Sequence, residues 1–123
     1  MKNKPAILIV EDDLALNEAY VAILATKYTN VRTAFNGEEA IQVAELHEPD
    51  IIFLDLRMPV MDGIGFLEKY LPAEKHPNVH IVVFSNYDMQ TEVDKAYQLG
   101  AERYVLKAWA SPKELLKIVE DLS

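Results

Sequence analysis

Short uninterrupted apolar runs alternate along this chain with longer segments in which apolar positions recur at helical spacing. The sharpest run is Ile51-Ile52-Phe53-Leu54, and it ends in Asp55. A strand buried on both faces of a parallel sheet reads this way, because neither face tolerates polar side chains. Pro59 and Gly63 then break the pattern, and a helix is expected to start near Asp62. Asp55 is therefore expected at a strand tip beside a loop, the edge at which open α/β sheets bind ligands.

The same pairing of strand and helix recurs on either side. Residues 6–10 read as a first strand running into Glu11-Asp12-Asp13. Leu16, Tyr20, Ile23 and Leu24 follow at helical spacing, with Asp13 placed as N-cap. Residues 31–35 form a second strand closed by Asn36-Gly37; Asn36 and Glu39 resemble a capping pair. Ala40, Ile41 and Ala44 face the next helix inward, and Pro49 lies beyond its end. Ile64, Leu67 and Leu71 stripe the helix after Asp55, which Pro72 ends, and residues 74–78 read as a polar loop. Residues 80–84 form a fourth strand ending at Ser85. Val93, Ala96 and Tyr97 mark the next helix, closed by Gly100 in a left-handed cap. Residues 103–106 form a fifth strand ending at Lys107. Ser111-Pro112-Lys113-Glu114 combines an N-cap, a first-turn proline and a capping glutamate, and Leu115, Ile118, Val119 and Leu122 share one face of the last helix. Five strands alternating with five helices imply right-handed crossovers and a parallel sheet covered on both sides. At 123 residues the chain is expected to be a single domain, 1–123.

Composition narrows the chemistry. The absence of cysteine excludes disulfides, thiolate metal sites and a thiol nucleophile. No apolar run approaches the ~20 residues of a membrane span. Met1-Lys2-Asn3-Lys4-Pro5 and the short apolar run before Glu11 do not make a signal peptide, so the cytoplasm is the expected location. A net charge of −8 argues against direct nucleic-acid binding. It suits an acidic cation site or a basic partner, although solubility alone accounts for it equally well.

Glu11 and Asp12, Asp55, Ser85 and Lys107 each come at the carboxyl end of a predicted strand, where the fold would gather them. Asp50 opens the third strand, ~16 Å from Asp55 along an extended chain, and is excluded. Three carboxylates brought together favour a cation, and a half-open oxygen site suits Mg²⁺. A lysine and a hydroxyl beside it suit a tetrahedral dianion. A carboxylate can itself attack phosphorus to give an aspartyl phosphate, while the metal and lysine neutralise the transferring group.

With these residues in place, the chain resembles a receiver domain of a bacterial two-component response regulator. The likeness covers residues 6–122 and rests on Ile7-Leu8-Ile9-Val10-Glu11-Asp12-Asp13, on Asp55-Leu56-Arg57-Met58-Pro59-Val60-Met61-Asp62-Gly63, on Ser85, and on Tyr104-Val105-Leu106-Lys107. It implies a flavodoxin-like (βα)₅ fold with strand order 2-1-3-4-5. It implies that Asp55 accepts a phosphoryl group from a histidine kinase or histidine phosphotransfer protein. Asp12 would bind Mg²⁺ directly, with Asp55, the Arg57 carbonyl and, through water, Glu11. Lys107 would pair with the phosphate, Ser85 would hydrogen-bond it, and Tyr104 would turn inward as Ser85 moves. The surface of the fourth predicted helix, fifth strand and fifth predicted helix would then exchange partners: an output protein, a fused output domain, or a second copy in a phosphorylated homodimer.

Three features stand out against the family's pattern. Ala108 replaces the usual proline after the lysine, which leaves the Lys107–Ala108 peptide open between cis and trans. Asn86 follows Ser85, where a small residue is usual. Arg57 and Tyr87 stand at hydrolysis-tuning positions, and this bulky pair points to a slowly decaying phosphoryl state. Asp13 and Asp62 read as helix caps, Met58 and Met61 as packing residues, and His47 as a helix-end residue. Pro77 argues against a helical metal pair of His76 and His80. Trp109 reads equally as a partner anchor or a half-exposed loop residue. A phosphorylation-independent interaction module remains the alternative. A haloacid-dehalogenase-type phosphatase is disfavoured, because it needs an acid where Arg57 stands. The chain stops at Ser123, after the last predicted helix, which fits a free-standing regulator and the receiver of a longer protein alike.

Overall fold

The computed structural model describes residues 4–86 and 88–123, apart from the side chain of Trp109. Its strands are β1 (Ile7–Val10), β2 (Val31–Ala34), β3 (Ile51–Asp55), β4 (His80–Ser85) and β5 (Arg103–Leu106). They form one parallel sheet in the order β2-β1-β3-β4-β5, as expected. The helices are α1 (Leu14–Ala25), α2 (Gly37–His47), α3 (Gly63–Tyr70), α4 (Pro72–Lys75), α5 (Gln90–Gln98) and α6 (Pro112–Leu122). The fourth and fifth predicted helices are thus α5 and α6.

Strand alternation divides the core in two. Leu8, Val10, Ile52, Leu54, Ile81 and Val83 face α2, α3 and α5, where they meet Ala40, Ile41, Phe66, Leu67, Val93 and Ala96. Ile7, Ile9, Phe53, Val82, Phe84 and Val105 face α1 and α6, where they meet Tyr20, Leu24, Leu115, Ile118 and Val119. Side chains two residues apart share a sheet face, so the central strands must be apolar at every position. This is why β3 reads as a continuous run.

Caps start the helices where the sequence places them. Asp13 accepts from the Leu16 N–H at 3.0 Å. Asn36 accepts from Glu39 and Asp62 from Gly65, both at 2.8 Å. Ser111 accepts from Glu114 at 3.2 Å. Gly100 sits at φ +118, beyond the end of α5, where a Cβ would be strained.

Three local expectations change. On α1 the buried positions are Asn17, Tyr20 and Leu24, while Leu16 is turned outward. Pro72 does end α3, through Leu71 in the left-handed region at φ 52. It also opens the one-turn helix α4, so the polar stretch begins inside a helix. Tyr97 lies on the solvent side of α5 rather than in its buried stripe.

Candidate functional site

Register brings the predicted residues to one edge. Val10 pairs with Leu54, so Glu11 and Asp55 both come one residue beyond that pair. Asp55 pairs with Phe84, and Ser85 comes next. Ser85 pairs with Leu106, and Lys107 follows. Asp50 immediately precedes β3 at the far end, where its carboxylate accepts from the Ala6 N–H at 2.7 Å.

Lys107 joins the cluster. Its Nζ donates to Asp55 Oδ2 at 3.0 Å and lies 2.9 Å from Glu11 Oε1. Asp55 Oδ1 accepts from the Arg57 N–H at 3.3 Å. Glu11 Oε2 accepts from the Asp13 N–H at 3.1 Å. Glu11 and Asp55 are buried, whereas Asp12 is exposed. Oxygens of Glu11, Asp12 and Asp55 lie within 4.8 Å of one another. Two enclosed acids beside an open one make an oxygen set that fits a hard divalent ion with part of its water shell.

The electrostatics follow from that enclosure. Burial, reinforced by the charge of Asp55, pushes the Glu11 carboxyl up to about 7, against the pull of Lys107 and the Asp13 N–H. Burial alone would lower Lys107, but its hydrogen bonds and charge interactions with Glu11 and Asp55 hold it above its ordinary value. Removing like charge from this cluster, or adding a cation to it, is therefore favourable.

The edge is built by close backbone packing. A Cβ on Gly63 would lie 2.5 Å from the Asp55 carbonyl oxygen and 2.8 Å from Leu56 Cα, so α3 begins against the end of β3 only with glycine there. The Gly63 N–H donates to the Leu56 carbonyl at 3.1 Å, closing the loop after Asp55. Val60 within this loop has φ 69, rare for a β-branched residue.

Ser85 is buried, and its Oγ has no hydrogen-bond partner among the described residues. A buried hydroxyl left in this state favours an acceptor brought to the site. Tyr104 lies further out, half exposed, with its ring edge-on to Tyr97 at 6.4 Å between centroids. No cis peptide occurs among the described residues, so Lys107–Ala108 is trans and opens a 3-10 turn, Lys107–Trp109. A cis bond before a residue other than proline costs ~2.5–4 kcal/mol. Asn86 is exposed, and its N–H donates to Met89 Sδ at 3.2 Å. Tyr87 and the Trp109 side chain lie outside the described residues.

Sequence reasoning missed two contributors. The buried Asn17 donates from Nδ2 to the carbonyls of Glu11 and Ala34 at 3.0 and 3.3 Å, tying α1 to the tips of β1 and β2. Its spacing of three and seven from Tyr20 and Leu24 was the available signal. Glu92 holds the Arg57 guanidinium at 3.1 and 2.7 Å, a contact across 35 residues with no local signature. His80 pairs with Glu102 at 2.7 Å and His76 stacks on Tyr70. His76 and His80 therefore have separate partners.

Comparison with known proteins places these features in a family. A family model described as a response regulator receiver domain matches residues 7–120. The nitrate/nitrite response regulator protein NarL of Escherichia coli is 38% identical over 117 residues, covering 93% of this chain and 53% of that protein. The probable transcriptional regulator ycf29 of Porphyra purpurea is 31% identical over 116 residues, covering 94% of this chain and 55% of that protein. The chain thus spans about half the length of these relatives. A CheY-like receiver domain protein from Methanospirillum hungatei superposes with a TM-score of 0.86 at 27% identity, covering 98% of this chain and 94% of that one. Vibrio cholerae chemotaxis protein CheY4 gives a TM-score of 0.87 at 23% identity, covering 98% and 99%, a likeness of fold.

Proposed function

Because the chain belongs to the response regulator receiver family of two-component systems, we propose that it is a phosphorylation-driven switch with Asp55 as phosphoacceptor. The observation that supports this most is the bridge from Lys107 to both Asp55 and Glu11, at 3.0 and 2.9 Å. It puts a cation against the one acid that ends the central strand.

In this reading an Asp55 carboxylate oxygen attacks the phosphorus of a phosphohistidine on a histidine kinase or phosphotransfer protein. The new O–P bond forms as the N–P bond breaks, and the histidine nitrogen leaves with the bonding pair. Lys107 passes from the carboxylate to a phosphoryl oxygen and offsets its charge. The Ser85 hydroxyl donates to another, which ends its isolation. Asp12, Asp55 and the Arg57 carbonyl would hold Mg²⁺, with Glu11 behind them. The bound ion supplies charge neutralisation and alignment of the transferring group. Water later cleaves the acyl phosphate, so the only chemistry catalysed is the protein's own phosphorylation and dephosphorylation.

Movement of Ser85 toward the phosphate makes room for Tyr104 to turn inward. The α5–β5–α6 surface then changes its affinity for an output protein, a fused output domain or a second copy. Residues 1–123 are taken as one receiver domain, acting in the cytoplasm.

Intact mass after incubation with acetyl phosphate and Mg²⁺ tests this reading. One added phosphoryl group, absent with EDTA and absent in Asp55→Asn, supports it. No gain from acetyl phosphate or from a phosphohistidine donor, in folded protein, would favour the phosphorylation-independent interaction module.

A further inference from the structure

Arg57 stands two residues beyond Asp55, yet its guanidinium pairs with Glu92 and Asp88 rather than with that carboxylate. Its Nε and Nη2 fork onto Glu92 Oε2 and Oε1 at 3.1 and 2.7 Å, and its Nη1 lies 3.5 Å from Asp88 Oδ2. All three guanidinium nitrogens thus meet acids on the segment that leaves Ser85. A bidentate fork fixes both position and orientation of the guanidinium. Glu92 itself lies in the first turn of α5, where a carboxylate is favoured by the helix dipole. That helix start has no side-chain cap, since Met89 occupies the N-cap position. The Arg57–Glu92 fork is therefore a side-chain tie between the loop after Asp55 and the start of α5.

We propose that Glu92 is a positioning residue that holds Arg57 off the phosphoryl site, so that an incoming phosphoryl group and Glu92 compete for one guanidinium. The inference rests on the proposed phosphorylation of Asp55 and deepens it. A phosphoryl group brings close to two negative charges and three acceptor oxygens. It is the stronger acceptor for an arginine fork, and the Glu92 carboxylate is the competitor it must displace. While the fork is closed, Lys107 is the one cation paired with Asp55 among the described residues. When Arg57 transfers, the phosphoacceptor loop and the start of α5 lose their tie. The transfer therefore links occupancy of the site to freedom of the helix that borders the output surface. The fork is half exposed, so salt weakens it more than it weakens the enclosed Lys107 bridge.

The test is the rate of phosphorylation against acetyl phosphate concentration, with Mg²⁺, for wild type, Glu92→Gln, Glu92→Asp, Arg57→Ala and the Arg57→Ala/Glu92→Gln pair. Releasing Arg57 in Glu92→Gln lowers the donor concentration for half-maximal rate by roughly threefold to tenfold, with a much smaller change in the maximal rate. Glu92→Asp, which keeps a carboxylate at the same helix position, returns the value toward wild type. In the Arg57→Ala background Glu92→Gln has no further effect. Added salt brings wild type toward Glu92→Gln. An unchanged half-saturation in Glu92→Gln, or the same shift with Arg57 absent, overturns the inference while leaving phosphorylation of Asp55 intact. A wild type that takes up no phosphoryl group overturns the proposed function, and this inference falls with it.

Discussion

Lys107 and Asp55, 52 residues apart in the chain, meet as ammonium and carboxylate at 3.0 Å. Two strand tips create the contact, because β4 lies between β3 and β5 and aligns their ends. The lysine also spans to Glu11, so one cation sits between two buried acids.

Removing that cation leaves both acids without compensation. Lys107→Ala is expected to lower stability by about 1–3 kcal/mol near neutral pH. Mg²⁺ is expected to recover more stability in the variant than it adds to wild type, since the ion replaces the missing charge. Urea unfolding with and without Mg²⁺ measures both effects, and an equal response of the two proteins would count against the account.

Glu11 sets a pH dependence whose sign is fixed by its environment. Its folded carboxyl lies near 7, above the ordinary 4.5 it regains on unfolding. Between those values the native protein holds a proton that the unfolded chain has released. The contribution of Glu11 to stability is thus lost as pH rises from about 4.5 through about 7. Chemical unfolding across that range, with wild type measured beside Glu11→Gln, is expected to give a difference that grows with pH in the variant's favour. A constant difference would contradict the assignment.

Gly63 packs without a side chain against the main chain at the end of β3 and the start of the loop after Asp55. Gly63→Ala would bring its Cβ to 2.5 Å from the Asp55 carbonyl oxygen and 2.8 Å from Leu56 Cα, neither of which is a flexible side-chain end. A loss of about 1–3 kcal/mol is expected, by overpacking. The backbone amide signals of residues 55–57 should shift with it in NMR spectra. Wild-type stability with unmoved signals would show that α3 can retreat freely.

Asn17 supplies donors to two carbonyls at the sheet edge, Glu11 and Ala34. Asn17→Ala is expected to cost about 1–3 kcal/mol, because those acceptors lose a buried partner. The denaturant midpoint checks this, and an unchanged midpoint would mean that water replaces the amide.

Much of this was legible from residue order. The continuous apolar run before Asp55 could satisfy only a strand covered on both faces, and β3 is that strand. The other strand tips followed from the same reasoning, and the four capping side chains lie where their local spacing put them. Asn17 was missed because a polar residue inside an apolar stripe becomes inward-facing only when carbonyls await it. Leu16 took its place in the reading because hydrophobicity alone cannot rotate a helix. The Arg57–Glu92 fork was invisible for a different reason. Long charged side chains choose partners after the backbone is placed, and nothing local to either residue names the other.

Reductive trapping of the phosphorylated protein is the most direct test of the central claim. Borohydride converts an aspartyl phosphate to homoserine and leaves free carboxylates unchanged, so peptide sequencing by mass spectrometry reads the modified position. The account predicts homoserine at position 55 alone, dependent on Mg²⁺ and on the phosphoryl donor. Trapping at position 12, or the absence of any trapped residue in protein that carries the phosphoryl mass, would contradict it.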